Sequence, residues 1–237
     1  MQHRHRISSR FARAAGFTLI ELLAVMAIIA ILISALAIQV PKYLDKAKVT
    51  ACRANLTDLY RNFTLYKDRF SDWPTESGIR FFLTLWRMDP DSHNESFAKR
   101  FTCPGVPANN LSGIAGRPPE EWFNEWDTLD STYTGYAGRD REHFPKLEVN
   151  AGKQAIVADD NELADTDHDP QPNHTYTTLA LFADGSIQEY DLQKLRIEGV
   201  LQEKQFILPG PDCVIPELKS LLRDAPLSKK ATAPKKK

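Results

Sequence analysis

The longest apolar stretch of the chain lies near its start. The 19 residues from Leu22 to Val40 contain no charged side chain, and this length is close to the roughly 20 residues that a helix needs to span a bilayer. The run is longer than the apolar core of a typical signal peptide, and no small-residue cleavage site follows it. We therefore predict a membrane-spanning helix, with a bend at Pro41 just beyond it.

The spacing of apolar residues changes after Pro41. They recur at alternating intervals of three and four positions, which is typical of one face of an amphipathic helix. These positions are Val49, Cys52, Leu56, Leu59, Phe63, Tyr66 and Phe70. We expect this stripe to pack against a globular head. We expect the helix to end before Trp73-Pro74, because the residue before a proline disfavours helical backbone.

Shorter elements are predicted beyond residue 74, separated by a loop-rich segment at 89–119. Short helices are expected at 75–85 (capped by Thr75), 192–200 and 216–223. Strands are expected at 131–137, 154–158 and 176–183. Asp184-Gly185 follows the last of these strands and predicts a hairpin with a two-residue turn, which needs positive φ at both positions. The expected fold class is α+β, with a long N-terminal helix packed on a head that contains a small antiparallel sheet.

Charge is distributed unevenly along the chain. Residues 1–16 contain four arginines and no acidic residue, so the positive-inside rule predicts a cytoplasmic N-terminus and an outward-facing head. All 31 acidic residues follow position 16, and no basic face runs through the body of the chain. Nucleic-acid binding is therefore not expected. Glu21 stands at the start of the apolar segment, where a charge is costly. Its carboxylate is either solvated at the membrane interface or paired with another group.

The segment Gly16-Phe17-Thr18-Leu19-Ile20-Glu21, followed by an apolar run, resembles the processing site of type IV pilins and type II secretion pseudopilins. The resemblance implies a pilin-like fold and cleavage by prepilin peptidase between Gly16 and Phe17. It also implies methylation of the new Phe17 amine. In that family the carboxylate at the position of Glu21 neutralises the N-terminal amine of a neighbouring subunit, and a buried pair of this kind can fix register.

Two internal segments extend the resemblance. Trp73-Pro74-Thr75-Glu76-Ser77-Gly78-Ile79 is similar to the Tyr-Pro-Thr-x-x-x-Gly-Leu segment of major type II pseudopilins. His174 and Asp184-Gly185 match the H-x9-D-G pattern of a group of prepilin-like proteins. Ten strand steps would separate His174 from Asp184 by about 33 Å, so the two cannot share a catalytic site on a straight strand. We expect Asp184 to serve the turn, and His174 to serve the strand entrance or a surface contact.

An acidic loop supplies candidate metal ligands. Its oxygen donors are of the type that Ca²⁺ prefers, although their spacing does not match an EF-hand. The candidates are Asp159, Asp160, Asp165, Asp167 and Asp169. The major type II pseudopilins, which the chain resembles, carry a calcium-binding loop in the head. A solvated acidic loop is the alternative interpretation, and a transition-metal site that includes His168 and His174 is a third. No cofactor is expected apart from this possible Ca²⁺.

The three cysteines form no C-x-x-C motif. Cys52 lies on the apolar stripe and is expected to pack as a small hydrophobic residue. Cys103 and Cys213 are candidates for a disulfide, since both would lie in an oxidising compartment. The sequence contains no G-x-S-x-G, H-E-x-x-H or phosphate-binding glycine loop. We therefore do not expect an enzyme.

Together these patterns predict a prepilin-like structural subunit of a type II secretion pseudopilus or a type IV pilus-like filament, and the Trp73-Pro74-Thr75 segment favours the pseudopilus. The expected organisation is a leader (1–16), an assembly helix (17–40), a stalk (41–72), a periplasmic head (73–227) and a disordered lysine-rich tail (228–237). The expected partners are prepilin peptidase, other pilin-like subunits, the inner membrane and the secretion or pilus assembly machinery. The alternative is a membrane-tethered binding module or enzyme that uses the prepilin segment only as an anchor.

Overall fold

The computed structural model describes residues 17–37, 39–147, 153–161, 172–203 and 205–224. The chain forms two units, Met1–Tyr43 and Leu44–Lys237. Several predictions lie outside the described residues. They concern the leader (1–16), the tail (228–237), and the loop residues Asp165, Asp167, His168 and Asp169.

Helix α1, Leu19–Ala37, is apolar on every face, and its residues are all exposed. Its mean hydropathy is 2.8 over 19 residues, so α1 is long and apolar enough to cross a membrane, and it is the one such helix in the described part. A helix without a polar face is stable only where lipid or other helices surround it. The structure therefore fits the predicted membrane anchor.

Helix α2, Val40–Phe70, begins after a turn at Gln39. The predicted bend at Pro41 is thus replaced by a division into two helices. Pro41 falls in the first turn of α2, where its missing N–H needs no helical partner. Within α2, the buried residues reproduce the predicted apolar stripe except that Phe70 is only partly buried. They are Val49, Cys52, Leu56, Leu59, Phe63 and Tyr66.

The second unit contains a five-stranded antiparallel sheet, which confirms the predicted α+β class. Its strand order is β4-β3-β2-β1-β5. The strands are β1 Tyr136–Arg139, β2 Ala155–Asp159, β3 Thr177–Phe182, β4 Ile187–Asp191 and β5 Leu221–Leu222. The remaining helices are α3 Ile79–Met88, α4 Glu95–Ala98 and α5 Leu192–Ile197.

Each face of the sheet covers a separate apolar cluster. Alternate residues of one strand point to opposite faces, so Leu179 and Leu181 of β3 join the cluster that contains the buried stripe of α2. Ala180 and Phe182 join the second cluster, which includes residues of the C-terminal segment. The sheet thus separates the α2 side of the head from the C-terminal side.

Three predicted elements differ from the structure. The helix expected at 75–85 begins only at Ile79, because the N–H of Gly78 bonds to the carbonyl of Arg139 in β1. The first part of the strand expected at 131–137 is a 3-10 turn, Ser131–Tyr133, capped by the Asp130 side chain. The helix expected at 216–223 is a 3-10 turn, Pro216–Ser220, followed by β5.

The predicted hairpin joins β3 to β4, but its turn is not the expected two-residue type. Gly185 has a φ of 85°, whereas Asp184 is not among the described residues with positive φ. The N–H of Gly185 donates to the carbonyl of Phe182, and the N–H of Phe182 donates to the carbonyl of Ser186. These hydrogen bonds are typical of a longer hairpin loop in which glycine has left-handed backbone conformation. A loop of this type also suits the right-handed twist of the strands.

Candidate functional site

Two regions carry candidate chemistry: the start of α1, and a buried cluster in the head. At the start of α1, Phe17 and Glu21 are both exposed, and Gly16 lies outside the described residues. Thr18 and Glu21 form a reciprocal cap. The N–H of Thr18 donates to Glu21 Oε2 at 2.8 Å, and the N–H of Glu21 donates to Thr18 Oγ1 at 3.3 Å. This is a capping box, which satisfies amide groups that the first helical turn leaves without partners.

The capping box gives Glu21 a role that the sequence interpretation missed, although the T-x-x-E spacing was its signal. The carboxylate is exposed and bonded locally to Thr18. A glutamate held in this way at the start of an apolar helix offers a fixed negative charge to a neighbouring group. Its pairing with the Phe17 amine of another subunit remains a prediction.

The H-x9-D-G residues lie at the two ends of β3, as their spacing predicts. Asp184 serves the turn, because its Oδ1 accepts hydrogen bonds from the N–H and the hydroxyl of Ser186. His174 is not a surface residue, since only 1% of its area is exposed. Of the two predicted alternatives, the surface contact was therefore wrong, whereas the strand entrance agrees with the position of His174 just before β3. The His174 ring is buried because it packs in the core beside Cys103.

A cluster of four buried side chains forms around His174. It consists of Cys52 on α2, Cys103 after the short turn Lys99–Phe101, Asp159 at the end of β2, and His174 before β3. We call these four residues the buried cluster. One potential ligand atom from each residue lies within 4.8 Å of the other three.

The contacts within the buried cluster are close. Sγ of Cys103 lies 3.3 Å from Nε2 of His174 and 3.8 Å from Sγ of Cys52. Sγ of Cys52 lies 3.3 Å from Oδ1 of Asp159, and Nε2 of His174 lies 3.8 Å from Oδ2 of Asp159. Burial raises the pKa of the thiol of Cys52, and it raises the pKa of Cys103 well above its usual value. Burial therefore favours the neutral form of both thiols.

Neighbouring groups orient the buried cluster. The backbone N–H of Leu179 donates to Oδ2 of Asp159 at 2.7 Å, and the N–H of Gly105 donates to Sγ of Cys103 at 3.3 Å. Gly105 also permits a close approach of two loops, because a Cβ at this position would lie 1.9 Å from the carbonyl oxygen of Asn173. A larger residue at 105 would push the Cys103 loop away from His174.

The predicted disulfide between Cys103 and Cys213 is not formed, and all three cysteines carry free thiols. Cys103 belongs to the core on the α2 side of the sheet, whereas Cys213 belongs to the core on the C-terminal side. The sheet thus separates the two thiols. The interpretation of Cys52 as a simple hydrophobic residue was also incomplete, because its thiol contacts Cys103, Asp159 and the hydroxyl of Tyr136.

The two described calcium candidates differ in their surroundings. Asp159 is part of the buried cluster, with two thiols beside it. Asp160 is not in that cluster, and burial raises its pKa to about 8 against the opposing effect of Arg223. Their carboxylates are both buried, so they do not form part of the solvated acidic loop that was one interpretation of this segment.

Comparison with known proteins identifies the N-terminal region alone. Residues 11–37 match the family described as the prokaryotic N-terminal methylation motif. No curated protein and no solved structure matches the chain. The matched residues include the Gly16-Phe17 junction, the capping box and all of α1. Residues 11–37 thus carry the prepilin-type cleavage and methylation signature, which indicates a prepilin-like substrate of the type IV pilin and pseudopilin class.

Proposed function

We propose that the chain is a structural subunit that assembles, after processing by prepilin peptidase, into a filament of the type IV pilin class. The observation that carries the proposal is Glu21, an exposed acidic residue in the first turn of an exposed apolar helix within the prepilin-type motif. The helix needs an apolar environment both before and after it leaves the membrane. Stacked copies of α1 would supply that environment in a filament.

The amine released by cleavage would be the partner of Glu21. Cleavage between Gly16 and Phe17 creates a positive group four residues before the carboxylate. Thr18 and Glu21 already bond to each other within one helix, so the carboxylate is held in place before a second subunit arrives. A pair between the Phe17 amine of one copy and Glu21 of the next would repeat along the assembly. Repetition of one such contact between identical copies produces an open helical filament when the rotation does not close.

We place the filament in a secretion system of type II, with the head in the periplasm and α1 in the inner membrane before assembly. The resemblance of the Trp73-Pro74-Thr75 segment to major pseudopilins supports this choice over an extended pilus. In the head, Trp73 is buried against Phe63 of α2, with ring centroids 5.6 Å apart. The arginine-rich residues 1–16 support a cytoplasmic N-terminus.

Photo-crosslinking through α1 tests the proposal. A photoreactive amino acid at Ile28, which is exposed, should give a ladder of crosslinked multimers in membranes that contain the pilus or secretion machinery. Glu21→Gln should reduce the ladder at least tenfold while cleavage and membrane insertion stay normal. Glutamine retains the reciprocal cap but removes the charge. Ser34→Ala, in the same helix, is the matched control and should leave the ladder intact.

Two outcomes would contradict the proposal. Recovery of the wild-type chain only as single anchored copies would favour a membrane-tethered module over a filament subunit. A normal ladder from Glu21→Gln would exclude the pairing role of the carboxylate.

A further inference from the structure

We propose that the buried cluster of Cys52, Cys103, Asp159 and His174 is a binding site for one zinc ion in the head. The site is independent of the filament proposal, because all four residues belong to the second unit of the chain. The sequence predicts metal ligands only within the acidic loop and at His174. The structure instead brings His174 together with two thiols and one carboxylate.

The distances between donor atoms match a four-coordinate site. Tetrahedral bonds of about 2.0–2.3 Å from zinc place neighbouring N, O and S donors roughly 3.3–3.8 Å apart. Cys103 Sγ to Cys52 Sγ is 3.8 Å, and Cys103 Sγ to His174 Nε2 is 3.3 Å. Cys52 Sγ to Asp159 Oδ1 is 3.3 Å, and His174 Nε2 to Asp159 Oδ2 is 3.8 Å. With Oδ1 of Asp159 as the oxygen ligand, three of these distances are edges of one donor tetrahedron, and all three lie in the expected range. The fourth distance involves the second oxygen of the same carboxylate.

The chemistry of the four donors selects the metal. Two thiolates and an imidazole are softer ligands than Ca²⁺ or Mg²⁺ prefers, whereas zinc binds sulfur, nitrogen and carboxylate oxygen together. A site with four protein ligands is closed and leaves no position for a reacting water, which is typical of structural zinc. We therefore assign a structural role to the ion and infer no reaction at it.

The burial of two of the proposed ligands is an independent argument for a bound cation. The side chains of Asp159 and His174 are fully buried, and Asp159 has His174 as its one ion-pair partner among the described residues. A buried carboxylate needs compensation by an opposite charge or by several hydrogen bonds. Leu179, Asn173 and the Cys52 thiol each donate to Asp159, the last two at 3.4 and 3.3 Å. A divalent cation between the four donors would supply the remaining charge and would bind the two cysteines as thiolates.

The surroundings already orient three ligands in the manner common to metal sites. Leu179 N–H bonds to Oδ2 of Asp159 and leaves Oδ1 facing Cys52. Gly105 N–H donates to Cys103 Sγ, and the Tyr136 hydroxyl lies 3.3 Å from Cys52 Sγ. Partners of this kind hold the residues that bind the metal in position and tune the basicity of those residues. The bound ion would connect α2, the Cys103 loop, β2 and the entrance of β3.

The test measures metal in the full mature chain, purified in detergent through a tag without histidine. After exposure to zinc chloride and removal of loosely bound ions, elemental analysis should find one zinc per chain. Cys103→Ser and His174→Gln should reduce bound zinc at least tenfold. Cys213→Ser is the matched control, because Cys213 is a buried free thiol outside the cluster. This variant should retain zinc at the wild-type level.

Cobalt substitution of the wild-type chain provides a measurement that does not depend on the folding of a variant. Cobalt at this site should show thiolate-to-metal charge transfer and the ligand-field bands of a tetrahedral ion. Folded wild-type protein that binds neither zinc nor cobalt above background would overturn the proposal. A wild-type mass lower by two hydrogen atoms, from a Cys52–Cys103 disulfide, would also overturn it. Stoichiometric binding of a different metal in preference to zinc would overturn the assignment of zinc.

Discussion

Glu21 closes the first turn of its own helix through Thr18. Oε2 of Glu21 accepts hydrogen bonds from both the N–H and the hydroxyl of Thr18, at 2.8 and 2.7 Å. The carboxylate therefore has a local structural role in the single chain, in addition to the proposed contact between subunits. Two substitutions can separate these roles. Thr18→Ala removes the cap, whereas Glu21→Gln removes only the charge.

Thr18→Ala should loosen the first turn of α1. The loss of a threonine cap costs about 1 kcal/mol, so the first-turn amides should exchange hydrogen roughly fivefold faster in detergent micelles. Glu21→Gln is the matched control, since glutamine also completes a capping box. Hydrogen exchange followed by mass spectrometry or NMR measures the effect. Equal exchange in wild type and Thr18→Ala would show that the cap contributes nothing to the turn.

Replacement of Gly16 by a bulky residue should block processing. The resemblance to prepilins implies a cut between Gly16 and Phe17, which lie within the matched residues 11–37. A leucine at position 16 should hinder entry into the peptidase. Intact-mass analysis of the membrane fraction should then find the uncut chain. Ser34→Ala, within the same matched segment, should be cut normally. A mature N-terminus still at Phe17 in Gly16→Leu would contradict the assigned cleavage site.

Leu59→Ala should destabilise the head strongly. Leu59 is fully buried in the core on the α2 side. Leu59→Ala should therefore lower the free energy of unfolding by about 2–5 kcal/mol, the usual cost of a buried leucine-to-alanine change. Leu65 lies on the same helix but is 53% exposed, so Leu65→Ala should change the free energy of unfolding by no more than about 0.5 kcal/mol. Denaturant titration of the full chain in detergent would compare the two. Similar losses from both variants would contradict the assigned faces of α2.

Asp184→Asn should reveal a contribution to stability that depends on pH. Hydrogen bonds from Ser186 lower the pKa of Asp184 in the folded chain. A carboxylate with a lowered pKa stabilises the fold above its unfolded pKa of about 3.9, and this contribution is lost as pH falls through the folded pKa. The difference in Tm between wild type and Asp184→Asn should therefore be largest at neutral pH and should shrink in acid.

Ser186→Ala provides the companion measurement for Asp184. It removes the hydroxyl that donates to Oδ1 but retains the backbone N–H donor. The pH-dependent part of the Tm difference should therefore decrease without disappearing. A difference between wild type and Asp184→Asn that stays constant with pH would contradict the assigned role of the carboxylate. The side chain is largely exposed, so the effect is expected to be small.

Patterns within short segments of the sequence predicted the elements that depend mainly on residues close together in the chain. The interval of three and four residues on α2 identified the buried stripe, since one face of that helix packs on the head. Asp184-Gly185 identified the β3–β4 hairpin, although the turn is longer than expected. The predicted start of α3 was wrong because the N–H of Gly78 bonds to β1, a partner that is distant in sequence.

The buried cluster could not be predicted in the same way. Three of its four contacts join residues separated by 51, 71 and 107 positions, and no spacing rule covers intervals of that size. Cys52 fitted the apolar stripe, and Asp159 fitted an acidic loop. Each residue therefore had a sufficient local explanation. Only the packing of α2 against the end of β2 shows that Cys52 and Asp159 share one site.

The long separations within the buried cluster also determine when it can form. The contact between Cys52 and Asp159 cannot form until residue 159 has been synthesised, and the contact between Cys103 and His174 cannot form until residue 174 has been synthesised. Contacts between distant parts of a chain require closure of large loops before they stabilise anything, and they form slowly. In the proposed periplasmic location, both cysteines would be accessible to oxidants during that interval. The yield of native head should therefore depend on the competition between the rate of folding and the rate of thiol oxidation.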